Sequence, residues 1–261
     1  MFDVRETVAI VTGALGGIGR ELVKSLLKRN ARGVVLLDIV DENEEFLKSL
    51  DVEFGGNKTL YLKVDVSDAK SVEDAFKKTI DRFGNLDIVV NNAGVLKQDD
   101  IDATVQINLL ATIRISNLAF FNYLPKYKSG SEGVIVNIAS IAGLVPMEST
   151  PVYAATKFGV VSYTQSMGTE SHYKNFPVRL MAICPSATDT PIVNNINDYF
   201  KNLIDMSKMK MQPPEAVGEA LAKVLAEGEN GSVWVSKDNL PAIEYKYKTE
   251  ILPLVEKYVW L

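Results

Sequence analysis

Tyr153 and Lys157 stand four residues apart in a stretch whose apolar spacing predicts a helix, so both side chains leave one face within reach of a common ligand. A phenol beside an ammonium is an acid–base device. Free tyrosine titrates near pH ~10. An ammonium about 4 Å away, at an effective dielectric of about 20, favours the phenolate by roughly 4 kcal/mol, or about three pKa units. The spacing therefore predicts an ammonium held against the phenol, with Tyr153 brought toward the neutral range where a general base works best. Ser140, thirteen residues earlier at the end of an apolar run, adds a hydroxyl able to hydrogen-bond an oxygen on which charge develops. Each residue alone has a bland explanation, as a helix-surface pair or a strand-end turn. Their coincidence in one chain marks a chemical site.

A second constellation lies at the other end of the chain. The apolar run Val8–Thr12 leads directly into Gly13-Ala-Leu-Gly16-Gly17-Ile18-Gly19 and then into an apolar-periodic helix. Strand, glycine turn and helix N-terminus in that order form a cradle for phosphate, because the first backbone N–H groups of a helix have no partners inside it. Gly13 permits the tight turn, Gly17 lets the backbone approach a pyrophosphate, and Gly19 allows close packing of helix on strand. Asp38 ends the second apolar run nineteen residues after Gly19, where a carboxylate accepts hydrogen bonds from the adenosine ribose hydroxyls. Ile39 and Val40 follow it without positive charge, so a 2′-phosphate is disfavoured and NAD is expected rather than NADP. Arg20, the one nearby cation, lies inside the helix. Asp65 and Val66 close the third run, where the carboxylate meets the adenine amino group or else caps a helix. Asn92, Ala93 and Gly94, at the end of the fourth, suit a turn that lets backbone pass near a cofactor.

The elements that must position these groups follow from hydrophobic periodicity. Strands are predicted at Val8–Thr12, Gly33–Asp38, Thr59–Asp65, Leu86–Asn91, Gly133–Ala139, Val178–Pro185 and Ser232–Ser236, seven in all. Helices are predicted between them at Gly17–Arg29, Asp41–Phe54, Ala69–Phe83, Ile101–Tyr123, Val152–Lys174 and Pro214–Ala226. Alternation of this kind builds an α/β fold, a doubly wound Rossmann sheet with helices on both faces. The 261 residues are expected to form a single domain. Residues 191–213, Asn-, Lys- and Met-rich and bounded by prolines, interrupt the alternation after the sixth strand. They are expected to form a substrate lid, with Met206–Met211 adaptable to apolar shapes. The apolar tail 251–261, with Trp260, must be covered by the active-site rim or by another subunit.

A net charge of −5 and 47% hydrophobic residues describe a globular chain with no basic face for nucleic acid. The single cysteine, Cys184, excludes an internal disulfide and a multi-cysteine metal site, and no metal is expected. No secretory signal or membrane span is visible, so a cytoplasmic protein is expected. His172, the only histidine, falls late in its helix, beyond the expected site.

Together Thr12-Gly-Ala-Leu-Gly-Gly-Ile-Gly19, Asn91-Asn-Ala-Gly94, Ser140 and Tyr153-Ala-Ala-Thr-Lys157 resemble the short-chain dehydrogenase/reductase family in order and spacing, over roughly residues 7 to 190. Within it, Leu36-Leu37-Asp38, Val152-Tyr153 and Asn230–Trp234 are similar to insect-type alcohol dehydrogenases and NAD-linked 15-hydroxyprostaglandin dehydrogenases. The resemblance implies that Tyr153 is the general base, that Lys157 also binds the nicotinamide ribose, and that Ser140 orients the substrate hydroxyl. It implies that Asn108 anchors a water chain from Lys157 to solvent, that Thr190 meets the nicotinamide carboxamide, and that Pro185 lies beside the ring. It further implies a homodimer or homotetramer. Where the family usually shows Pro-Gly, this chain has Pro185-Ser186, which bears on how the nicotinamide side of the pocket is shaped. The expected activity is NAD-dependent interconversion of a lipophilic secondary alcohol and its ketone. The rival is a binding or storage protein that keeps the fold without catalysis.

Overall fold

Alternate residues of the first strand feed opposite faces of one sheet. Val8 and Ile10 pack into the core cluster that contains Phe76 and Phe120, while Ala9 and Val11 pack into the one that contains Leu22 and Leu221. All five residues of this strand are buried, as a central strand covered on both sides requires. The computed structural model describes residues 2–192 and 210–246. Its strands are β1 (Val8–Thr12), β2 (Gly33–Asp38), β3 (Thr59–Lys63), β4 (Ile88–Asn91), β5 (Gly133–Ile138), β6 (Val178–Pro185), β7 (Val233–Ser236) and β8 (Ile243–Glu244). They form one sheet in the order β3-β2-β1-β4-β5-β6-β7-β8. The seven predicted strands are all present, but the sheet has eight. The extra strand is a two-residue antiparallel edge against β7, too short to show alternation and exposed at both positions.

Helices α1 (Gly17–Lys28), α2 (Glu44–Phe54) and α3 (Ala69–Phe83) connect the first strands. Helix α2 starts three residues later than the periodicity predicts, because the Asn43 side chain accepts from Phe46 N and fixes the start there. Asp68, not Asp65, caps α3, and Gly84 ends it in the left-handed conformation at φ 79°. The predicted helix over 101–123 runs on to Tyr127. It consists of α4 (Ile101–Val105), a π turn (Gln106–Ala111), α5 (Thr112–Asn117), a second π turn (Leu118–Tyr123) and α6 (Leu124–Tyr127). The helix predicted over 152–174 breaks in two, into α7 (Pro151–Met167) and α8 (Glu170–Asn175). Backbone of Gly168 packs against backbone of Gly231 so closely that neither has room for a side chain, and the helix turns there. Helix α9 (Glu215–Glu227) follows Pro214 and packs on α1, with Ser25 Oγ donating to Gly218 O at 2.5 Å.

The strand order reverses between β1 and β4, where connections depart in opposite directions and leave a crevice at the carboxyl ends of the strands. A cavity of about 1650 Å³ occupies it. Among the described residues no helix is long and apolar enough to cross a membrane.

Candidate active site

At one end of the cavity the glycine turn is held by contacts within the chain. Gly13 sits at φ 60°, and a side chain there would meet Ala93 Cα at 2.9 Å. Gly19 packs directly on Gly13 O, which leaves no space for a Cβ and brings α1 against β1 as the spacing predicted. Gly17 does something different from the expectation. A Cβ there would lie 2.6 Å from Thr190 Cγ2, so its smallness admits the side chain of Thr190 as well as any phosphate. The N-cap of α1, Gly16, offers no side-chain acceptor, and the first turn carries no acidic residue. Its N–H groups therefore face the cavity as an anion site.

Asp38 lines the same cavity, and its carboxylate accepts from Leu15 N and from Ile39 N, both at 2.8 Å, so one side chain ties the end of β2 to the glycine turn. Arg20 is already engaged: its Nε donates to Leu15 O at 2.9 Å, and its guanidinium stacks over Phe46 at 4.6 Å. Asp65 accepts from Ser67 N and Ser67 Oγ, and with Val66 forms part of the cavity wall. Thr12, quoted in the motif but not singled out for a role, is the organiser of this end. Its Oγ1 accepts from Asn92 N and Ala93 N, while Asn92 Nδ2 donates to Thr12 O and Gly13 O at 3.0 and 2.9 Å. A dinucleotide fits these features, with an uncapped helix start for the pyrophosphate, a carboxylate for the ribose and a backbone cradle that side chains would fill.

The cavity is also lined by Ser140, Tyr153, Lys157 and Pro185, with Thr190 reaching back to Gly17. Tyr153 lies in the first turn of α7 and Lys157 one turn on. Ser140, two residues after β5, is the N-cap of a short 3-10 turn (Ile141–Gly143); its Oγ accepts from Ala142 N at 3.1 Å, and its hydroxyl hydrogen-bonds the Tyr153 phenol. Gly143 keeps that turn against α7: a side chain there would sit 2.6 Å from Lys157 O.

The electrostatics correct the sequence expectation. The Lys157 ammonium is committed to backbone. Its Nζ donates to Ile138 O at 2.8 Å and lies 5.5 Å from the centre of the Tyr153 ring. Burial dominates both groups, pushing Tyr153 up to about 12, with the Ser140 hydroxyl pulling the other way, and Lys157 down to about 8. Cys184, fully buried behind them, is likewise pushed up to about 12. In the chain alone, then, the phenol is protonated and the cation is held ready nearby.

Asn108 is buried in the first π turn, where its carboxamide accepts from Val95 N and donates to Val95 O, both at 2.8 Å. A Cβ placed on Gly94 would lie 3.3 Å from Asn108 Oδ1 and 3.8 Å from Lys157 Nζ. Gly94 thus keeps open the small space that both polar groups face. Two residues missed in the sequence complete the frame. Gln98 Oε1 accepts from Val152 N at 3.1 Å and so fixes the start of α7, although it lies 54 positions away. Gln212, buried, donates to Thr188 Oγ1 and Ser236 O and accepts from Ser236 Oγ, joining the chain after β6 to the end of β7. Neither has a local sequence signal, because each contact is made only by the fold. His172 lies in α8 against Phe120, away from the cavity. Among the described residues no cluster of side chains fits a metal ion. Of the lid predicted over 191–213, residues 193–209 lie outside the described residues, as does the tail 251–261.

The fold and the site define a class: the chain belongs to the short-chain dehydrogenase family, whose model matches residues 7–200. The narrower likeness is equally plain. The chain is 36% identical over 242 residues to the 15-hydroxyprostaglandin dehydrogenase (NAD(+)) of Homo sapiens, covering 88% of this chain and 90% of that protein. It is 34% identical over 233 residues to alcohol dehydrogenase 2 of Ceratitis capitata, covering 87% and 90%. Among solved structures it resembles levodione reductase, with a TM-score of 0.75 at 27% identity over 88% of this chain and 96% of that one. It also resembles a 3-ketoacyl-(acyl-carrier-protein) reductase from Brucella melitensis complexed with NADH, with a TM-score of 0.73 at 25% identity, over 89% and 97%.

Proposed function

We propose that this chain is an NAD-dependent dehydrogenase that interconverts a lipophilic secondary alcohol and its ketone, with Tyr153 as general base. The observation that carries this reading is one cavity that holds the phenol of Tyr153, the hydroxyl of Ser140 and the ammonium of Lys157 at one end and the glycine turn with Asp38 at the other. The names of its relatives point the same way, toward NAD and toward alcohols.

NAD bound along the crevice supplies the hydride acceptor. The N-terminus of α1 holds its pyrophosphate, Asp38 its adenosine ribose, and Asn92, Ala93, Gly94, Pro185 and Thr190 its nicotinamide half. Ile18, Asp65 and Val66 line the way to the adenine. Ser140, whose hydroxyl hydrogen-bonds the phenol of Tyr153, turns that hydroxyl to the substrate oxygen and holds the carbinol against Tyr153. Tyr153 takes the hydroxyl proton as the carbon–hydrogen bond breaks. Burial keeps Tyr153 protonated in the chain alone, so its base role depends on positive charge entering the cavity beside it. Lys157, below its value of about 8, contributes part of that charge at neutral pH, and two of its three donors remain after Ile138 O for a ribose hydroxyl and a proton path past Asn108. The wall near Tyr153 is apolar, with Leu96, Ile107, Ile141, Met147 and Phe158, which suits a lipophilic substrate.

Replacing Tyr153 with Phe and following NADH formation across a panel of secondary alcohols tests the mechanism. A fall in kcat of about 10²–10⁴ with NADH binding retained is expected. Unchanged turnover removes Tyr153 from the base role. Cofactor binding by the wild-type protein without turnover on any alcohol favours the non-catalytic rival.

A further inference from the structure

The residue that departs from the family pattern, Ser186, leaves β6 along the cavity wall that also carries Ser140, Tyr153 and Thr190. Its backbone is committed on both sides: Ser186 N donates to Ser236 O at 2.8 Å, and Ser186 O accepts from Thr188 Oγ1 at 2.9 Å. It is not among the residues with positive φ, so a side chain here costs no backbone strain. The hydroxyls around it are all partnered. Thr188 Oγ1 also accepts from Gln212 Nε2, Thr190 Oγ1 donates to Thr188 O, and Ser236 Oγ donates to Gln212 Oε1. Ser186 Oγ is different: it is shielded from solvent and has no hydrogen-bond partner.

A buried hydroxyl without a partner is costly and is rarely retained without a use. Ser186 lines the cavity, and rotation about Cα–Cβ between staggered positions changes the direction of this oxygen without moving the backbone. Its place identifies what it meets. Asp38, Ile39, Val40 and Asp65 line the cavity after β2 and β3, whereas Ser186 lines it directly after Pro185 at the end of β6. The nicotinamide carboxamide that NAD would bring to this wall offers both a donor and an acceptor, matching the two capacities of a hydroxyl.

We propose that Ser186 is a cofactor-binding residue whose hydroxyl hydrogen-bonds the nicotinamide carboxamide of NAD, an inference that rests on the dehydrogenase reading above. A carboxamide fixed at that point restricts rotation of the ring about its glycosidic bond, and so sets which face of the ring meets the substrate.

The test compares Ser186→Ala and Ser186→Gly with the wild type, using fluorescence titration with NADH and competition by ADP-ribose, which lacks the nicotinamide. Thermal melts confirm that the variants fold. NADH affinity is expected to fall roughly fivefold in both variants, the effect of one ordinary hydrogen bond, while ADP-ribose affinity stays as in the wild type. Equal NADH affinity in wild type and Ser186→Ala overturns this inference and leaves the dehydrogenase reading standing. A parallel loss of ADP-ribose affinity also overturns it, because the damage then lies in the cradle. A wild-type protein that binds no NADH overturns both readings together.

Discussion

Around Gly13–Gly19 the chain has made its own contacts: Thr12, Asn92 and Asp38 are each bonded to backbone, and the glycines are packed on neighbouring atoms. Around Tyr153 the side chains are in place, but burial sets their proton affinities. Tyr153 is pushed up to about 12, Lys157 down to about 8, and Ser186 Oγ has no partner. One end of the cavity is finished as shape, and the other waits for a ligand to complete its electrostatics. That division is sensible for a catalyst. A cradle that binds in every turnover benefits from rigidity, whereas a base must change its affinity for a proton within the cycle.

The sharpest way to separate the two ends is Lys157→Met. At the chemical end kcat is expected to fall by about 10²–10⁴. Yet the variant loses an ammonium that burial pushes down to about 8 from 10.5, so thermal melting at pH 7 is expected to rise by about 2–5 °C. A variant that is both inactive and less stable contradicts the claim that the ammonium is kept there against its own preference. In the finished end, Gly19→Ala has no room for its methyl group. Overpacking of roughly 1–3 kcal/mol and dinucleotide binding at least about tenfold weaker are expected, measured by melting and NADH titration. Affinity retained there means that the cradle is softer than its contacts imply.

The smallest effect is read from pH. Tyr153, Tyr163 and Cys184 are pushed up to about 12 from 10.0, 10.0 and 9.0, chiefly by burial, so each holds its proton more tightly when folded. The stability tied to them is full below their unfolded values and drains as pH climbs from about 9 to 12. Lys157 works the other way, its cost fading as pH rises from about 8 to 10.5. Three groups oppose one, so the melting temperature is expected to decline above about pH 10, and Cys184→Ala should flatten that decline by removing one of the three. A melting temperature that stays level to pH 11.5 means that burial of these groups has been overstated.

Much of this was legible in the sequence because it is local. The glycine turn between β1 and α1, the position of Asp38 after β2 and the four-residue step from Tyr153 to Lys157 are set by short-range geometry. Strands β1, β2 and β6 begin and end where periodicity places them. What was not legible depends on contacts between distant segments. The break at Gly168 needs Gly231, the start of α7 needs Gln98, and the direction of the Lys157 ammonium needs the carbonyl of Ile138. Spacing put phenol and ammonium on one face but could not say that a backbone carbonyl would claim the ammonium.

Thr188 and Gln212 form a parallel bridge, reinforced by Asp189 N donating to Gln212 O and Gln212 N donating to Ala187 O, both at 2.9 Å. The chain therefore departs from the wall of the site and returns to it at a single stapled neck. Ser186 lies before that bridge, so a change made beyond Thr190 pulls on the staple before it pulls on Ser186. An engineer altering the stretch beyond Thr190 has in this bridge a fixed boundary that shields the residues before it.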